Sequence, residues 1–102
     1  MNKKLNIKKT ELRLLIYKLF SSHREFKLYD AVAIISMKYI DVHDNSTALL
    51  ERYPDRQKKI GKPIRWIIQE AYNLNYLTRD KTIYVINNDK KHDFFVDFYM
   101  QR

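Results

Sequence analysis

The side chains with the clearest chemical potential in this sequence are cations, and they are concentrated in one part of the chain. The 102 residues hold 20 Lys and Arg against 12 Asp and Glu, a formal net charge of +8. Residues 1–65 hold 15 of the basic and 7 of the acidic residues, whereas residues 66–102 hold five of each. A localised positive field attracts polyanions, chiefly nucleic acid, or an anionic membrane surface. The alternative interpretation is a solvated face that keeps the protein soluble.

Two clusters make most of this excess charge. Residues 1–9 form what we interpret as a basic N-terminal arm in front of a single domain over residues 10–102. The second cluster lies in residues 52–65, where only Asp55 opposes it. Its members are Arg52, Arg56, Lys58, Lys59, Lys62 and Arg65.

Residues suited to catalysis or metal binding are not grouped. The three histidines, His23, His43 and His92, have no partner of ligand type at i+3 or i+4. The absence of Cys excludes thiolate zinc sites and cysteine nucleophiles. The single glycine, Gly61, excludes glycine-rich phosphate loops. We therefore expect no enzyme, no metal and no cofactor.

Hydrophobic periodicity indicates the elements that position the cations. Helical spacing predicts a first helix over residues 10–22 with Thr10 as its N-cap, and a second over 31–39. One or two extended residues are expected at Phe26 to Leu28. The stretch 41–61 has no clear period and is predicted to be irregular, with a short helix over 47–53 as an option.

The run from Gly61 to Ile86 is the most informative. Pro63 suits the first turn of a third helix, and Asn75 tolerates the left-handed conformation that often ends one. The apolar residues of this helix fall on one arc, and the opposite arc collects Lys62, Arg65, Trp66, Gln69 and Asn73. The period then changes to two, which predicts a hairpin whose turn is Arg79-Asp80-Lys81.

Three helices followed by a hairpin resemble the winged helix-turn-helix superfamily over about residues 10–86. In the resemblance, Ile68, Ala71, Asn75, Tyr76 and Leu77 take the parts of the helix end and the strand that follows it. The chain departs from the family pattern in the twenty or so residues between the second and third helices, where the family has a tight turn. The expected fold is a small α+β winged-helix-like domain with an additional C-terminal strand or helix.

The resemblance implies that the third helix enters the major groove of double-stranded DNA, as in a small transcriptional regulator. The side chains agree, because Lys and Arg suit phosphates or guanine edges, and Gln and Asn suit adenine edges. Residues before the helix would contact the DNA backbone, and the wing tip an adjacent minor groove. The predicted DNA-binding residues are Arg56, Lys58, Lys59, Lys62, Arg65, Gln69, Asn73, Arg79 and Lys81.

Trp66 is the unexpected residue on the polar arc. It is expected to be covered by the 41–61 stretch, and the alternatives are stacking on a base or anchoring a protein partner.

A second pattern favours a different class of function. Residues 12–20 resemble residues 64–72 at an offset of 52, so the chain could contain a duplication around 10–40 and 62–90. A groove between the two halves would suit a peptide, making the protein a non-enzymatic adaptor.

The C-terminal residues alternate between two sides. Phe94, Val96, Phe98 and Met100 fall on one of them, which favours a strand over a helix. An apolar strand at a sheet edge could pair with a second copy and make a homodimer; alternatively these residues close the core. No apolar run approaches the roughly 20 residues of a membrane span, and we expect a cytoplasmic protein, in the host's cytoplasm if it is viral.

Overall fold

The fold combines helices with one small antiparallel sheet. The computed structural model describes residues 8–22, 25–43 and 54–101, leaving out the side chains of 40–43 and 54–59. The helices are α1 (Lys9–Phe20), α2 (Leu28–His43) and α3 (Pro54–Asn73), and the strands are β1 (Phe26–Lys27), β2 (Leu77–Asp80) and β3 (Ile83–Ile86). A C-terminal helix begins as a 3₁₀ turn at Asn88–Lys90, continues as α4 (Lys91–Phe94) and ends as a π-helix at Phe95–Met100. The predicted α+β class is confirmed.

The three strands form a sheet in the order β1-β3-β2, with both pairings antiparallel. Tyr84 in the central strand is opposite Phe26 on one side and Arg79 on the other. The extended residues expected near Phe26 are therefore an edge strand, which connects the start of α2 to the hairpin.

One hydrophobic core lies between α1, α2, α3, the sheet and the C-terminal helix. Each element contributes an apolar stripe at its own period, such as Leu12 and Ile16 of α1 and Ile64 and Ile68 of α3, all fully buried. The N-cap of α1 is Lys8, whose backbone N–H donates to the hydroxyl of the buried Tyr39 at 3.0 Å. The predicted cap, Thr10, lies inside the helix instead.

Helix α3 begins at Pro54, nine residues earlier than predicted, so that Pro63 is inside it. A proline inside a helix removes one hydrogen bond and typically costs about 3 kcal/mol. The compensation is Ile60, which is fully buried one turn before Ile64 and continues the apolar stripe. Burial of one such side chain contributes about 2–3 kcal/mol. The irregular stretch predicted over 41–61 is thus wrong at both ends, and the short helix considered for 47–53 lies outside the described residues.

The end of α3 agrees with the sequence prediction. Asn75 has a left-handed backbone (φ 66°), and the N–H of Tyr76 donates to the carbonyl of Ala71 at 2.9 Å. Asn75 N–H donates to the carbonyl of Tyr72 at 3.0 Å, completing a Schellman motif. The side-chain amide of Asn87 then donates to the carbonyl of Asn75 at 2.8 Å, which joins the far end of the hairpin to the helix end.

The predicted C-terminal strand is wrong, because residues 91–100 are helical. Phe94 and Phe98 are one helical turn apart and both fully buried, whereas Val96 is half-buried and Met100 is exposed. Phe94 and Phe98 fit both a repeat of two residues and the i, i+4 spacing of a helix. In the folded chain they enter the core as a helical pair. Homodimerisation remains a prediction, but two of its four proposed contact residues lie in the core of their own chain.

A polar bridge ties the C-terminal helix to the rest of the domain. Asp97 accepts hydrogen bonds from the Arg13 guanidinium (2.9 Å) and from the Tyr76 hydroxyl (3.0 Å). The same guanidinium lies 4.5 Å from the centre of the Phe98 ring. Burial, followed by the hydrogen bond to Asp97, raises the pKa of Tyr76 above its ordinary value. Charge and aromatic packing together fix the C-terminal helix across α1.

Candidate nucleic-acid interface

The predicted polar arc of α3 is on the protein surface. Five side chains point away from the core, and all are exposed: Lys62, Arg65, Trp66, Gln69 and Asn73. Gln69 donates to the side-chain oxygen of Asn73 at 3.2 Å, so these two amides form an i, i+4 pair along the helix surface. On the opposite arc Ile64, Ile67, Ile68 and Ala71 are buried as predicted. Leu74, which the helical period also places on that arc, is 43% exposed, because the helix ends before it at Asn73.

The other predicted contacts before this face cannot be placed as side chains. Arg56, Lys58 and Lys59 belong to the first two turns of α3, and their side chains lie outside the described residues. They precede the exposed face on the same helix, and their predicted contact with the DNA backbone stays a prediction.

The hairpin turn differs from the predicted one by its register. Arg79 and Asp80 belong to β2, and the two-residue turn is Lys81-Thr82. Lys81 has a left-handed backbone (φ 57°), which a tight hairpin needs and which is uncommon for a residue with a long side chain. Lys81 is therefore at the tip as predicted, while Arg79 is not.

Arg79 extends along the side of the hairpin towards α3. Its guanidinium lies 5.1 Å from the centre of the Tyr72 ring and 6.0 Å from that of Tyr84. Hydrogen bonding to Tyr84 is the main cause that raises the pKa of Arg79 above its ordinary value. The Arg79 guanidinium is therefore cationic and exposed to solvent, and it lies against two aromatic rings in cation–π geometry.

A shallow groove joins α3 to the hairpin and contains residues that the sequence pattern did not indicate. Its cations are Lys27, Arg65, Arg79 and Lys81, and none of the described residues that line it is acidic. Tyr29, at the start of α2, also lines the groove and is 76% exposed. Lys27 lies within the extended stretch predicted at Phe26 to Leu28, and Tyr29 follows that stretch. Pairing of β1 with β3 brings both residues beside the hairpin, and the sequence does not predict this pairing.

Trp66 is 70% exposed. The 41–61 stretch that is expected to cover it lies mostly outside the described residues, so this expectation stays a prediction. The ring projects from the arc opposite the buried stripe, where the helix itself offers it no cover. Trp66 lines a second, wider groove between α1 and α3, together with Lys9, Arg13, Lys62 and Glu70. Base stacking and protein anchoring stay the other two alternatives for this ring.

The described residues contain no group of three or more His, Asp or Glu side chains that could hold a metal ion. In the same part of the chain, no helix is long and apolar enough to cross a membrane. Comparison with protein-family models, with curated proteins and with solved structures gives no match to this chain.

Proposed function

We propose that this protein binds double-stranded DNA through the exposed face of α3 and the β2–β3 hairpin, as a small regulator of transcription would. The observation that carries the proposal is the convergence of five exposed cations from separate elements on one side of the molecule. They are Lys27 of β1, Lys62 and Arg65 of α3, Arg79 of β2 and Lys81 of the turn. Cations that are distant in sequence and gathered on one face produce the local field that attracts phosphates.

The chain order supports the winged-helix form of this proposal. A helix, an edge strand, two helices and a hairpin follow one another, and the first strand pairs with the last. This arrangement agrees with the resemblance given above and puts α3 and the hairpin side by side. In that fold the third helix reads base edges in the major groove and the wing tip reaches an adjacent minor groove.

The individual side chains suit this division of labour. Gln69 and Asn73 carry amides that can pair with an adenine edge, and Arg65 matches guanine. Lys81 and Arg79 of the hairpin would contact phosphates that border the minor groove, and such contacts supply affinity without sequence preference. Lys81 moreover occupies a backbone conformation that costs an ordinary residue about 1–2 kcal/mol, and strained residues concentrate at functional sites.

The groove between α1 and α3 favours one other function, an adaptor that binds a peptide. Its walls come from the two helices that the sequence similarity relates, and Trp66 and Leu74 give it apolar surface. The same cations would then face acidic residues of a partner protein.

The test is the salt dependence of duplex binding. Five phosphate contacts predict that log K falls against log salt concentration with a slope of about −4 to −5. The measurement is a fluorescence-anisotropy titration of a mixed-sequence duplex at several salt concentrations.

The matched control is Lys18→Gln, which removes an exposed cation of α1 that lines neither groove. It should leave the slope unchanged, whereas Lys81→Gln should reduce its magnitude by about 0.9. A folded protein that binds no duplex at low salt would exclude DNA binding and favour the adaptor.

A further inference from the structure

Two aromatic side chains on the proposed nucleic-acid interface are largely exposed. Tyr29 is 76% and Trp66 is 70% exposed. Within the described part of the chain neither ring contacts another aromatic ring, although many of the other rings pair with one another. The rings of Tyr72 and Tyr84, by contrast, each lie against the guanidinium of Arg79. Both exposed rings offer a π-face to a ligand.

The grooves that hold these rings are continuous. Leu28 and Arg65 line both the groove of Tyr29 and the groove of Trp66, so Arg65 stands between the two rings. A chain-like ligand could therefore contact one ring, pass the guanidinium and reach the other ring. Lys62 lines the groove of Trp66, and Lys81 lines the groove of Tyr29.

The chemistry of that path differs from what a regular duplex offers. Bases in a duplex are stacked on both sides, so a protein ring finds no free base face without unstacking a step. An unpaired strand exposes both faces of each base, and every base has such a face whatever its sequence. Cations and aromatic rings line both grooves; no acidic residue lines the groove of Tyr29 among the described residues, and Glu70 lines that of Trp66. This combination suits a strand that alternates phosphates and bases.

We propose that this surface preferentially binds nucleic acid with unpaired bases, stacking one base on Tyr29 and another on Trp66 while Arg65 holds the phosphates between them. The proposal rests on one part of the proposed function, that this face binds nucleic acid, and adds that unpaired bases are bound more tightly there than a fully paired duplex. Lys27, Arg79 and Lys81 continue the phosphate path beyond Tyr29.

Trp66 is the only tryptophan of the chain, so its fluorescence reports on this site alone. The experiment titrates the full chain at low salt with three fluorescently labelled probes: a single strand of about 12 nucleotides, the duplex of the same sequence, and heparin, a polyanion without bases. The anisotropy of the probe measures binding to every variant, and the Trp66 emission reports on the site in those chains that keep this residue. The variants are Tyr29→Leu and Trp66→Leu, with Tyr29→Phe and Trp66→Phe as conservative controls. Tyr99→Leu removes a partly exposed ring on the C-terminal helix, outside both grooves.

We expect the single strand to bind more tightly than the duplex and to quench the Trp66 emission, while heparin binds with little quenching. Each Leu variant should weaken single-strand binding roughly 5- to 100-fold, and the Phe variants should restore most of it, because they keep a stacking face. Tyr99→Leu should have no effect. Thermal unfolding of every variant shows that it is folded.

Other results would overturn the proposal. If the duplex binds more tightly than the single strand and the Leu variants bind both like the parent, stacking is excluded while the proposed duplex binding stands. If heparin competes equally and quenches equally, charge alone explains the surface. If none of the probes binds the folded protein, both the stacking proposal and the proposed function are wrong.

Discussion

At the scale of single residues, the most informative position is Lys81. A hairpin turn of two residues requires a left-handed backbone, and Gly, Asn or Asp usually provides it. The chain instead has a lysine there with φ 57° and an exposed side chain. Stability and binding therefore make opposite demands on this position.

Lys81→Asn should separate these demands. The substitution should raise the free energy of unfolding by about 1 kcal/mol, because Asn tolerates the left-handed region better. It should also weaken duplex binding and reduce the magnitude of the salt slope by about 0.9, because one phosphate contact is lost. Urea denaturation and anisotropy titrations measure the two effects. An increase in stability without any change in binding would remove Lys81 from the interface.

Tyr76 is the second residue whose environment makes a prediction. Because its pKa is raised in the folded protein, folding favours the neutral phenol. The stabilisation is complete below the ordinary pKa of about 10 and is lost as the pH rises through the raised value.

Tyr76→Phe should cost about 0.5–1.5 kcal/mol at pH 7, through loss of the hydrogen bond to Asp97. The parent and the variant should converge in stability above about pH 10, where the parent loses its advantage. Urea denaturation at a series of pH values measures this, with Tyr99→Phe as a control for the loss of an exposed phenol. If the difference in unfolding free energy between parent and variant stays constant up to about pH 11, above the ordinary phenol pKa, the Tyr76 phenol is not the group that causes the pH dependence.

At the scale of elements, α3 serves two purposes on its two faces. One face supplies Ile60, Ile64 and Ile68 to the core, and the other presents the polar arc. A Cβ at Gly61 would lie 3.4 Å from the Val32 side chain of α2, an ordinary van der Waals distance, so the packing of the two helices does not depend on this glycine. The outer face of the helix can therefore be changed chemically without moving the helix from its place in the fold.

Paired substitutions on α3 test this separation. Ile68→Ala should reduce the free energy of unfolding by about 2–5 kcal/mol, because the side chain is fully buried. The double variant Arg65→Ala, Gln69→Ala should change it by no more than about 0.5 kcal/mol. The double variant should still lose DNA affinity, and Gln69→Ala alone should reduce discrimination between sites more than non-specific binding. Early unfolding of the double variant, or parental DNA binding, would contradict the assignment of the faces.

At the scale of the whole molecule, the C-terminal helix closes the core against α1. The rings of Phe94 and Phe98 pack against each other and against Tyr76, and the bridge from Arg13 to Asp97 seals the outer side. The C-terminal residues also return to the start of the domain, where Gln101 donates to the carbonyl of Thr10 at 2.6 Å. This helix is part of the domain and not an appendage to it.

The contribution of each residue in the C-terminal helix to the free energy of unfolding should follow the spacing of a helix. Phe98→Ala should destabilise by about 3–5 kcal/mol, whereas Met100→Ala, on the same side of the predicted strand, should have an effect below about 0.5 kcal/mol. Chemical denaturation provides both values. Equal effects at the two positions would instead agree with a strand.

Local periodicity and local backbone preference are enough to predict several features from the amino-acid sequence. The apolar arc of α3 is predictable because burial follows the 3.6-residue repeat, and the end of that helix because Asn75 accepts a left-handed backbone. The hairpin follows from the change of period, although its turn register does not. The cations of α3 and the hairpin are therefore binding candidates on the strength of the amino-acid sequence.

Other features depend on long-range packing, and the folded chain alone specifies them. Pro63 resembles a helix start because a proline inside a helix is locally destabilising. Burial of Ile60 nevertheless stabilises a helix that begins before Pro63 and continues past it. Residues 94–100 resemble a strand because a period of two and an i, i+4 pair share positions, and the core selects the helix. Lys27 and Tyr29 join the interface because β1 pairs with β3 across more than fifty residues of sequence. No local signal contains that pairing, since its stabilisation comes from contacts that exist only once the chain has folded.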